Sequence, residues 1–209
     1  MMPERFFALM PDAETAAAIA DLKRIALEAC GPQKYLDDEP HLTLGVGHFR
    51  AGPALESAIS EGAPFTGIEA GLAGWHTYFD DPVTRLHTLV IKLDAPSAAR
   101  LRDYQVRVLD AASAHREKPA PDRYADRSRY TPDMIASVER YGFPFVGRIW
   151  EPHFTIASFA PADYPRAWDR LAGARLPARA ALAELDLFEI EPDGFRKLAG
   201  WRQAAPAGN

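Results

Sequence analysis

The sequence predicts an α+β protein of two pseudo-symmetric lobes, each an antiparallel sheet with flanking helices, with an active-site cleft between them. Three observations carry this. Short apolar runs of strand length alternate with Ala- and Leu-rich stretches of helical period. Two of those strands are each followed by Asp-Ala and a helix, at Asp12-Ala13 and at Asp94-Ala95. The pattern Glu-Pro-His-x-Thr also occurs twice, 112 residues apart, as EPHLTLGV from Glu39 and EPHFTIASF from Glu151. With six His and eight Thr in 209 residues, chance placement gives about 0.2 His-x-Thr matches, so two in one setting mark an internal repeat.

The elements follow in order. Arg5–Met10 (RFFALM) is a buried strand. Residues 12–30 form a helix rich in Ala, Leu and charge, stopped by Gly31-Pro32. The first Glu-Pro-His strand is next, then a short helix near 52–61 and a strand from about Phe65 to His76. Asp80-Asp81-Pro82 is a turn signal. The order then restarts with a strand at 86–93 and a helix from Asp94 to about Ala114. The second Glu-Pro-His strand, a helix at 163–173 and a strand at 181–190 follow. A Pro192-Asp193-Gly194 turn and a strand at 195–202 close a hairpin. The organisation is a single domain over 1–209, with lobe 1 over about 1–84 and lobe 2 over about 85–203. Residues 115–148 have no counterpart in the first half. Over 116–148 seven Arg or Lys meet five Asp or Glu, with Tyr124, Tyr130, Tyr141, Phe143 and Phe145 among them. A long inserted loop of this kind is expected to be a lid or to touch substrate.

Composition narrows the classes. A hydrophobic share of 47% and a charged share of 25% are those of a globular protein, and a net charge of −5 argues against a broad nucleic-acid-coating surface. The single cysteine, Cys30, excludes an internal disulfide and a cysteine-rich zinc site, and fits a reducing compartment. The opening MMPERFFALMPD is too short and interrupted for a secretory or membrane segment, so a cytoplasmic, monomeric protein is expected.

On a strand, alternate side chains share a face. His41 and Thr43 then point one way while Leu42 and Leu44 enter the core, and His153 and Thr155 oppose Phe154 and Ile156. Gly45, Gly47 and Ala157 are expected next on the polar faces, leaving room for a ligand. A lone His-x-Thr is ordinarily a satisfied or solvated histidine. Two copies facing one cleft present two imidazoles and two hydroxyls, a set suited to in-line chemistry at a phosphodiester. One neutral histidine accepts a proton from water, the other donates one to the leaving oxygen, and the hydroxyls serve the non-bridging oxygens. This chemistry calls for no metal and no cofactor.

His41-Leu42-Thr43-Leu44 and His153-Phe154-Thr155-Ile156 resemble the paired signatures of the two-histidine (2H) phosphoesterase superfamily. That superfamily includes proteins once named 2′-5′ RNA ligases and RNA or nucleotide cyclic phosphodiesterases. RFFALMPD resembles its first strand, and the resemblance covers nearly the whole chain. It implies a bilobal fold and metal-independent hydrolysis of a 2′,3′-cyclic phosphate on an RNA end or small nucleotide. It also implies His153 as general base and His41 as general acid. The gap between the histidines is long for the compact members, because of residues 115–148. The alternative is a non-catalytic module that binds a nucleotide or RNA end in the same cleft. A metal-dependent hydrolase finds no HExxH or paired-cysteine motif, and a ligase finds no nucleotide-activating lysine motif.

Arg148, Trp150, Tyr141 and Tyr35 are candidates for substrate binding, with Arg140 and Trp75 weaker ones at the mouth and wall. Glu39 and Glu151 read as solvated charges at strand entries set by Pro40 and Pro152. His48 is expected on the face opposite His41. His76, His87 and His115 belong to no recognisable constellation.

Overall fold

A computed structural model describes residues 3–117 and 120–202. Its two long helices begin the same way. Asp12 accepts the Thr15 N–H at 2.9 Å ahead of α1 (Ala13–Cys30), and Asp94 accepts the Ser97 N–H at 2.8 Å ahead of α3 (Ala95–Ala112). Such caps stabilise a helix by about 1 kcal/mol. They end β1 (Arg5–Pro11) and β4 (His87–Leu93) and turn the chain onto one side of the sheet. The remaining elements are β2 (Leu42–Phe49), α2 (Pro53–Gly62), β3 (Ile68–Tyr78), β5 (Arg116–Glu117), α4 (Pro132–Tyr141), β6 (His153–Phe159), α5 (Tyr164–Leu171), β7 (Arg179–Glu191) and β8 (Gly194–Arg202).

All pairing is antiparallel, in the order β5-β2-β1-β7-β3-β4-β6, with β8 beside β7. The repeat predicts a sheet within each sequence half, but the third strands are exchanged. β3 pairs with β4, and β7 pairs with β1. Ile68–Gly71 then pair with Arg179–Leu182, joining everything into one open layer. The exchange is latched twice by matching bonds. Asp12 N–H donates to the Ala181 carbonyl (2.8 Å) and Asp94 N–H to the Gly71 carbonyl (2.9 Å). Gly71 N–H in turn donates to Ser97 Oγ at 2.9 Å, and a Cβ at position 71 would lie 2.0 Å from Asp94 Oδ2, so only glycine fits there.

The core lies between the sheet and its helices, with Phe7, Leu9, Phe49, Phe154 and Phe159 fully buried. The 115–148 segment is not the loop that its composition suggests. It holds β5, which extends the edge of β2 through His48 and Phe49, and α4, started by Thr131 and ended by Gly142 at φ 77°. Tyr124, Tyr130, Met134, Val138, Tyr141 and Phe143 are buried in the core. Its alternation of charge and aromatic residues is that of an amphipathic segment docked on the sheet edge, with the aromatics inward. Among the described residues no helix is long and apolar enough to cross a membrane.

Candidate active site

Each motif histidine enters its strand from a buried proline, Pro40 or Pro152, and is half-buried itself. The carbonyl two residues back meets the ring: His41 Nδ1 lies 2.7 Å from Glu39 O, and His153 Nδ1 lies 2.6 Å from Glu151 O. A carbonyl only accepts, so Nδ1 carries the proton and Nε2 of the neutral ring is left with its lone pair. Burial pushes both imidazoles below their ordinary 6.5, against the carbonyl bonds, which favour the charged form. β6 ends the strand order and β2 lies one strand from its other end, yet they come into contact, so the sheet curls and its two His-x-Thr strands approach one another.

The repeat extends to a defect in the ladder. Thr43 pairs with Ala8 and Gly45 with Phe7, leaving Leu44 as an extra residue. Thr155 pairs with Val90 and Ala157 with Leu89, leaving Ile156 extra. A bulge placed one residue after each Thr reverses the side-chain alternation beyond it. That overturns four expectations. Gly45 faces helix α3, where a Cβ would meet Leu109 Cδ2 at 2.7 Å, and Gly47 faces the buried Phe49 ring. Ala157 is likewise buried in the core. These small residues admit packing partners and not a ligand. His48, expected opposite His41, shares its face instead, with Nδ1 3.2 Å from the Pro3 carbonyl.

The two histidines differ in surroundings. Across the strands from His153 stands Lys92. Its Nζ reaches Glu151 Oε2 at 2.9 Å, and the Tyr78 hydroxyl donates to the same oxygen at 2.7 Å. The Tyr78 ring lies 5.4 Å from that of His153, and His76 packs on Tyr78 at 4.7 Å. Burial opposes ionisation of Glu151, but the Lys92 and Tyr78 hydrogen bonds prevail and hold its carboxyl below the ordinary value. Glu151 is therefore paired, not a solvated charge, and links this network to His153 through its carbonyl. His41 instead packs against Phe6 (5.3 Å) and Phe195 (5.6 Å). Its approach loop is tied down by the buried Lys23, whose Nζ donates to the Tyr35 and Asp38 carbonyls at 2.6 and 2.7 Å. Burial lowers that ammonium to about 8.

Three of the four candidate substrate-binding residues, Trp150, Tyr141 and Arg148, are engaged with partners other than the motif histidines. Trp150 is buried in the core, its carbonyl accepting from Arg102 Nε at 2.8 Å. Tyr141 is buried too, its hydroxyl 3.1 Å from Asp110, while Arg140 pairs with the same carboxylate. Arg148 pairs with Asp133 of α4 at 2.6 Å, and together with Tyr141 it lines a shallow surface hollow on the inserted segment. Tyr35 is half-buried at φ 72°, its phenol raised by burial to about 12, and its carbonyl is the group that Lys23 holds. Trp75 packs on Trp168 of α5. The residues that do stand beside the histidines, Tyr78, Lys92, Phe6 and Phe195, carry no sequence signal of their own. Cross-strand register alone brings them there. Among the described residues no group of three or more His, Cys, Asp or Glu is arranged to hold a metal ion.

No curated protein matches this chain in sequence. Solved structures share its fold. Apo E. coli LigT is 16% identical with a TM-score of 0.53, covering 96% of this chain and 97% of that one. E. coli LigT complexed with 3′-AMP is 17% identical with a TM-score of 0.52, covering 98% and 100%. TT0787 of Thermus thermophilus is 18% identical with a TM-score of 0.55, covering 96% and 97%. The profile of the 2′-5′ RNA ligase superfamily matches residues 11–194, a span that includes both His-x-Thr strands and the exchanged strands β3 and β7. The chain belongs to the 2′-5′ RNA ligase superfamily.

Proposed function

We propose that this protein is a metal-independent phosphodiesterase that opens a 2′,3′-cyclic phosphate on an RNA end or small nucleotide, acting as a cytoplasmic monomer. The observation that carries the reading is the matched anchoring of the two imidazoles. Each donates Nδ1–H to the carbonyl two residues back, each leaves Nε2 free, and each has a Thr on the same strand face. Neutral His153 accepts a proton from water through Nε2 as the water oxygen bonds to phosphorus. The bond from phosphorus to one ribose oxygen breaks, and protonated His41 delivers its proton to that oxygen. Thr43 and Thr155 hydroxyls donate to the non-bridging oxygens as their charge shifts. Exchange with solvent then resets both rings. The division of roles follows the family resemblance.

Nucleoside 2′,3′-cyclic phosphates are expected to yield a single monoester regioisomer at a rate that EDTA leaves unchanged. Activity lost on chelation and restored by a divalent metal would refute the paired-histidine mechanism.

The pH dependence has a definite sign. Turnover needs one imidazole neutral and one protonated, and in the free protein both titrate below 6.5. The maximum of kcat/KM is therefore expected below pH 6.5. A bound anionic phosphate favours the protonated acid, so the alkaline limb of kcat lies at higher pH than that of kcat/KM. A kcat/KM that climbs through pH 8 contradicts this assignment.

Lys92 lowers the His153 value by its charge. In Lys92→Met the Glu151 carboxylate is no longer offset, so the acid limb of kcat/KM moves to higher pH. A profile superimposable on the wild type would remove Lys92 from the site.

A further inference from the structure

We propose that Lys23 is a positioning residue for the paired-histidine reaction: its ammonium pins the loop that suspends His41 from the strand of His153, and so fixes the spacing of the two imidazoles. The inference rests on the proposed phosphodiesterase reading and deepens it. Four carbonyls between residues 34 and 39 accept hydrogen bonds from three different elements. Ser158 N–H of β6 donates to the Lys34 carbonyl at 3.0 Å. Lys23 Nζ of α1 donates to the Tyr35 and Asp38 carbonyls at 2.6 and 2.7 Å. The next carbonyl, that of Glu39, meets His41 Nδ1 at 2.7 Å. One loop thus runs from the second motif strand to the first motif histidine, and Lys23 grips its middle. Helix α1 itself packs on β6, so the grip is referenced to the strand that carries His153.

Lys23 is buried, and burying an ammonium is unfavourable unless its N–H groups are used. Methionine would fill the same space but offers no donor to two converging carbonyls. Tyr35 is held at φ 72°, left-handed backbone that a non-glycine residue keeps only under constraint, and the bond to its own carbonyl supplies that constraint. Burial brings the ammonium down to about 8, against the charges of Asp38 and Asp37, so it is still charged in the acidic range where turnover is expected. The charged groups that act on His41 are Asp38, Lys23 and Glu39. Burial lowers the imidazole most. The Glu39 carbonyl bond and then Asp38 raise it, Lys23 lowers it, and the Glu39 charge raises it. The carbonyl bond outweighs the Lys23 charge. Removing Lys23 therefore moves His41 down if the loop loosens, and up if Lys23 acts by charge alone.

The test uses Lys23→Met and Lys23→Ala with adenosine 2′,3′-cyclic phosphate, and separately follows both imidazoles by long-range proton–nitrogen NMR. Lys23→Met is expected to lower kcat about 10–100-fold with KM little changed, the scale of loss when a reacting group is misplaced by about 1 Å. The alkaline limb of kcat/KM moves to lower pH. In Lys23→Ala the lost side chain opens onto a hollow of about 310 Å³ beside Leu36 and Pro40. Propylammonium should therefore restore kcat where propanol does not, which separates a lost pin from a lost fold. Wild-type kcat in Lys23→Met, a loss carried by KM alone, an alkaline limb moved to higher pH, or a folded Lys23→Ala that propylammonium does not rescue would overturn the positioning role. Each leaves the phosphodiesterase reading in place. If the wild type turns over no cyclic phosphate, yet Lys23→Met disturbs the Nδ1–H tautomer of His41 and spares that of His153, the pin stands and the hydrolytic reading falls. If both imidazoles are also unchanged, both fall.

Discussion

Replacing either His41 or His153 by Ala is expected to lower kcat about 10²–10⁴-fold, the usual contribution of a positioned general acid or base. The double variant should lose little more than the worse single one, because the two rings act in one concerted step and their effects do not add. Each ring is half-buried, and each makes its hydrogen bond to a local carbonyl. Circular dichroism should therefore remain that of the wild type, with only a small drop in the unfolding midpoint where His41 leaves Phe6 and Phe195. Wild-type turnover in both single variants would end the catalytic claim for this face. The two variants should also differ in pH behaviour. His41→Ala removes the alkaline limb of kcat/KM and His153→Ala the acid limb, so residual rates, measured against pH, assign the roles directly.

The largest effect on stability is expected at Gln105, which is completely buried on α3. Its amide donates to the Leu44 carbonyl at 2.7 Å and to the Phe145 carbonyl at 2.8 Å, and its oxygen accepts the Gly147 N–H at 2.9 Å. One side chain thus ties the bulge residue of the first motif strand to the end of the inserted segment. Gln105→Met keeps the volume but leaves three backbone groups without partners, at about 1–3 kcal/mol each. A loss of about 3–5 kcal/mol in urea unfolding is expected, allowing for partial access of water. Faster hydrogen exchange should appear first at 145–147, where the segment meets α3. A loss below about 1 kcal/mol would show that these bonds are replaced by solvent at little cost. Because Leu44 directly follows Thr43, the same variant should also lower kcat, by loosening the strand that carries Thr43.

Local rules made much of the fold legible. Asp12 and Asp94 were recognisable as helix starts because a cap needs only the next three residues. His41, Thr43, Leu42 and Leu44 separate by face because alternation holds within a strand. The rules failed where a neighbour from elsewhere decides. Gly45 and Ala157 read as space for a ligand until a bulge turned them toward the helix side, and the same bulge carried His48 onto the His41 face. Trp150 and Tyr141 read as substrate contacts because aromatic residues beside arginines resemble a binding loop. Packing against α3 and its neighbours buries both.

By itself, then, the sequence determined the repeat, the element order and the two His-x-Thr pairs, since each is written in residues a few positions apart. Only the tertiary structure decided which strands are exchanged, what stands beside each histidine and what the inserted segment does. Lys92 and Tyr78 reach Glu151 through strand register, and Phe195 reaches His41 through the hairpin and β1. Such neighbours are set by pairing between distant segments, where a one-residue shift reverses every face, and no local pattern records that shift.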